Sequence, residues 1–117
     1  MKRLIDPAPW PYPERPRVLI EDPDSARALE TATALRAAGY GVAICPGPDE
    51  DSRCPVAGTH TCALVDGADA IVSNFGSNGR GWEIVDGLRR SRPRTPVVLN
   101  VERERAVAAV GAALRRR

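Results

Sequence analysis

The 117-residue chain predicts a doubly wound α/β fold around a mostly parallel, four-stranded sheet in the order 2-1-3-4. Three observations carry this. Short apolar runs rich in β-branched residues alternate with longer segments of helical period. The runs are continuous rather than alternating, as expected of strands buried on both faces. Strict β/α succession also calls for right-handed crossovers, which place helices on both sides of the sheet.

The expected strands centre on Val18-Leu19-Ile20, Val42-Ala43-Ile44-Cys45, Ala70-Ile71-Val72 and Val97-Val98-Leu99. Asp22-Pro23-Asp24 marks a helix start, since a carboxylate can accept from unpaired first-turn N–H groups and proline suits the entry. The helix that follows places Leu29, Ala32 and Leu35 on one face, and Gly39 supplies a left-handed stop. Residues 46–58 read as loop, and Thr59 to Gly67 offer material for only a short second helix. A third helix is expected from about Arg80 to Arg90 with Ile84, Val85 and Leu88 inward. A last one is expected from Glu102 to Arg116 with Val107, Val110 and Leu114 inward, acids at its start and arginines at its end.

The chain divides into residues 1–16 and a domain over 17–117. Prolines at 7, 9, 11, 13 and 16 remove backbone donors and favour an extended arm. Trp10 and Tyr12 in that arm either pack as a flap on the domain or serve as a docking segment for an aromatic-lined groove. One core is expected at this length. With aromatics at only 4%, aliphatic side chains must fill it.

No apolar run approaches the ~18 residues that suggest a membrane span. The first residues break into prolines before a signal peptide's apolar stretch could form, so a cytoplasmic location is expected. Residues 1–79 carry seven basic and eleven acidic side chains, and residues 80–117 carry ten arginines and four acids. A basic C-terminal part could meet nucleic acid or an acidic partner, but arginine-rich helix faces are more often simply solvated, and no aromatics interleave with the arginines as they do in single-strand binders. Nucleic acid is therefore not the expected partner.

RVLIEDPDSARALETATALRAAGYGVAIC, ADAIVSN and GWEIVDGLRRSRPRTPVVLNV together resemble the receiver domain of two-component response regulators, a flavodoxin-like fold, over roughly residues 17–101. The resemblance implies an aspartyl-phosphate switch. In that family an acidic pair ending the first strand holds Mg²⁺, an Asp ending the third accepts phosphate, a Ser or Thr ends the fourth, and a Lys ends the fifth. Glu21 and Asp22 match the acidic pair, but the phosphoacceptor position falls on Asn74. A neutral carboxamide is a poor nucleophile for acyl phosphate formation. The fourth strand ends near Asn100 and Val101 without a hydroxyl at the obvious position, and a fifth strand with its lysine has no candidate. The expectation is a non-catalytic, receiver-like regulatory or interaction module that works through a protein partner, with no cofactor. Glu21 and Asp22 are then expected to act as a helix N-terminal cap and dipole pair.

Without a fifth strand, residues 97–101 form an exposed edge, and proteins tend to cover such edges. A homodimer or partner contact is expected there, together with the last helix. A different class of function rests on Cys45, Cys54, His60 and Cys62. Three thiolates and an imidazole form a valid tetrahedral zinc set, and three thiolates could hold an iron-sulfur cluster with one further ligand. The alternative is therefore a small metal-binding or thiol redox sensor, although the spacing includes no C-x₂-C knuckle. The GSNGRGW loop lacks the Gly-Lys-Ser/Thr ending of a phosphate loop. Ser77 or Asn78 capping the next helix accounts for it better.

Overall fold

A computed structural model describes residues 15–45, 62–74, 79–99 and 101–116. The proline arm up to Glu14, with Trp10 and Tyr12, lies outside the described residues. So do Cys54, His60, Ser77, Asn78 and Asn100. In chain order the elements are β1 (Arg17–Glu21), α1 (Ser25–Ala37), β2 (Gly41–Cys45), α2 (Ala63–Gly67), β3 (Ala70–Ser73), α3 (Gly79–Ser91), β4 (Val97–Leu99) and α4 (Arg103–Arg116). All strand pairs are parallel, and the order is β2-β1-β3-β4. The expected α/β class and strand order are both present.

Strand periodicity divides the core. Val18 and Ile20 of β1, Val42 of β2, and Ala70 and Val72 of β3 pack on one face with Ala28, Ala32 and Leu35 of α1 and Val110 of α4. Leu19 and Ile71 point the other way, against Val65 of α2 and Ile84 and Leu88 of α3. Both faces of β1 and β3 are thus covered, which is why these strands read as unbroken apolar runs.

The helices correct two details of the sequence reading. Leu29 is 56% exposed rather than inward; Ala32 and Leu35 are buried as expected, and Ala28 and Thr31 complete the face in place of Leu29. In α4 the fully buried line is Ala106, Val110 and Ala113, while Val107 and Leu114 are partly buried beside it. Small residues at the contact let α4 and α1 approach closely, and the longer side chains flank the seam. Helix α1 ends as expected, with Gly39 at φ 99°, a conformation that disfavours any side chain.

Candidate functional site

Strand β1 lies between β2 and β3, and the chain leaves β1 for α1 on one face of the sheet and β3 for α3 on the other. The carboxyl ends of β1 and β3 therefore flank a topological switch point, where open α/β sheets place their sites. Glu21 and Asp22 stand at the end of β1, and Ser73 and Asn74 at the end of β3. Backbone bonds carry the ladder one residue beyond the strands. Asp22 N–H donates to Cys45 O at 3.0 Å, and Asn74 N–H donates to Glu21 O at 2.7 Å. All four side chains are buried.

Strand alternation sends these side chains to different faces. Asp22 faces α1, where its carboxylate is filled from within the chain. Oδ1 accepts the Asp24 N–H at 2.9 Å and Arg27 Nη2 at 2.8 Å. Oδ2 accepts Arg27 Nε at 2.7 Å and Asn74 Nδ2 at 3.2 Å. Burial pushes the Asp22 carboxyl up, but the Arg27, Asp24 and Asn74 hydrogen bonds and the Arg27 charge together hold it below the usual carboxylate value.

Glu21 falls opposite Cys45 on one side and Ser73 on the other. Burial pushes its carboxyl up to about 7. The Ser73 hydroxyl is near enough to draw that value back in part, yet not in hydrogen-bonding geometry, for among the described residues Glu21 Oε1 and Ser73 Oγ both lack a partner. Asn74 Oδ1 is likewise unsatisfied. Burial therefore favours the protonated, neutral form of Glu21 over its carboxylate.

The sequence expectation for the acidic pair is thus corrected. Asp24 caps α1, its side chain accepting the Arg27 N–H at 3.0 Å. Asp22 holds the guanidinium of Arg27, and Glu21 caps nothing. Arg27 and Ser73 were not singled out by the sequence reading. Arg27 left a signal: a cation in the first turn of a helix opposes the macrodipole, so its presence there calls for a local anion.

Cys45 and Cys62 are both partly buried against the α2 and α3 core cluster, and no disulfide joins them. Cys54 and His60, which would complete the sequence-derived zinc or iron-sulfur set, lie outside the described residues. Among the described residues, no three His, Cys, Asp or Glu side chains converge into a metal-holding group. Among these residues also, no helix is long and apolar enough to cross a membrane. Neither protein-family models nor curated proteins give a match to this chain.

Proposed function

We propose that the chain is a non-catalytic, receiver-like regulatory module that acts by binding a protein partner. One observation carries this reading: the filled carboxylate of Asp22. Arg27 places a permanent cation against it, and the Asn74 amide takes a further lone pair. A receiver that works by phosphate needs those oxygens for a divalent cation and needs a carboxylate where Asn74 stands. Here the same positions form a closed clamp between β1, α1 and β3, suited to holding a shape. A clamp of this kind needs no cofactor. Chain purified without chelator is expected to carry less than about a tenth of an equivalent of zinc or iron, since a structural site would hold metal tightly.

The direct test is incubation with acetyl phosphate and Mg²⁺, read by intact mass. An unchanged mass is expected. An added phosphoryl group would overturn the proposal.

A further inference from the structure

The parallel topology gathers the C-terminal ends of the helices at the end of the sheet opposite the switch point. Helix α1 runs down from Asp24 to the turn before β2, and α3 runs down to the turn before β4. Helix α4 lies parallel to α1. Its start is tied to α1 by Arg103 Nη1 to Glu30 Oε2 at 3.3 Å. Its later half passes the turn before β2, where a Cβ added at Gly111 would lie 3.6 Å from the Tyr40 hydroxyl.

Arg36, Arg89, Arg94, Arg115 and Arg116 are all exposed at this end. The nearby exposed acids are already engaged: Asp66 pairs with Arg92, and Asp86 with Arg90. The five named arginines have no carboxylate partner among the described residues. Arg36, Arg89, Arg115 and Arg116 stand in last turns, where a cation complements the helix dipole without giving the guanidinium a carboxylate partner. The last turns of α3 and α4 each carry two arginines, and Arg94 belongs to the turn after α3, beyond any helix.

We propose that this rim is a docking surface for a protein presenting clustered carboxylates. The proposal deepens the partner-binding reading above and rests on it. Arginine's planar fork suits bidentate recognition of carboxylates. Helices α1 and α4 lie on one face of the sheet and α3 on the other, so the rim spans both faces rather than forming a stripe along one helix. Two features favour protein over nucleic acid. Tyr40, the aromatic at this end among the described residues, is packed against the core and offers bases no platform. Asp66 and Asp86, paired to Arg92 and Arg90, interrupt the rim with carboxylates, so its charge is patterned rather than uniform and suits a protein's discrete carboxylates better than a continuous phosphate backbone.

The test uses the full chain, a labelled oligoglutamate peptide and a short DNA duplex, compared near physiological salt. The peptide is expected to bind and the duplex to bind less well. Replacing Arg89→Gln, Arg94→Gln and Arg116→Gln together is expected to weaken the peptide about tenfold, with the circular dichroism spectrum unchanged. Glu102→Gln at the opposite end should leave binding as it was. Absence of peptide binding, an unaffected triple variant, or tighter binding of the duplex would each overturn the proposal. So would head-to-tail self-association that the triple variant abolishes, because the rim would then serve the chain's own acidic end. Acetyl phosphate labelling reports on the clamp alone, so the two readings fail separately.

Discussion

Glu21 and Asp22 are consecutive buried carboxylates whose environments drive them in opposite directions. Asp22 is held below its ordinary 3.8, so the stability it contributes is present at higher pH and is lost as pH falls through its folded value. Glu21 is raised from 4.5 to about 7. The folded state therefore binds that proton more tightly, and the contribution is full below 4.5 and is lost as pH rises toward 7. Urea unfolding across this window should show stability declining from pH 5 to above 7, by at most about 3 kcal/mol at 1.36 kcal/mol per unit. Glu21→Gln should flatten that slope, and a slope unchanged in the variant would assign the dependence elsewhere. Asn74 is the companion case. Its amide donates to Asp22, so Asn74→Asp exchanges a donor for a like charge. A loss of about 1–3 kcal/mol is expected in urea unfolding, and the variant should still leave acetyl phosphate unreacted by intact mass.

Among the elements, the strands were the most legible, because burial on both faces leaves nothing polar to interrupt the run. Val18 to Ile20 and Ala70 to Val72 lie where that pattern put them. Helix faces were read less well. The 3.6-residue period alone favours the large Leu29 beside Ala32 and Leu35, whereas the approach of α4 selects Ala28 and Thr31 in its place, a choice that depends on a helix more than seventy residues away. The contrast can be measured on one helix. Leu35 is fully buried, and Leu35→Ala should cost about 2–5 kcal/mol. Leu29→Gln should shift stability by no more than about 0.5 kcal/mol. A large loss at Leu29 would mean that something covers it. The site followed the same division. The strand pattern together with the receiver resemblance placed Glu21, Asp22 and Asn74 at the ends of β1 and β3. The filling of Asp22 by Arg27, by contrast, depended on a side-chain direction that spacing does not encode.

At the scale of the molecule, the sheet has unequal edges. Strand β1 is paired on both sides and its neighbour β3 likewise, while among the described residues β4 pairs only with β3, over three residues, and exposes Leu99 at 39%. Neither charge nor proline protects Val97-Val98-Leu99 from pairing with another chain, and such an edge invites coverage. We expect β4, with α4 beside it, to carry a homodimer contact. Amide exchange should be slowest in β1 and β3, which must open globally. Exchange in β4 should slow as chain concentration rises, in step with a dimer seen by native mass spectrometry. Leu99→Lys, which sets a charge on that edge, should remove both the dimer and the added protection while leaving β1 unaffected. If β4 is protected as strongly in dilute monomer as in concentrated solution, its outer backbone groups are satisfied within the chain. The contact would then have to be sought elsewhere on the surface.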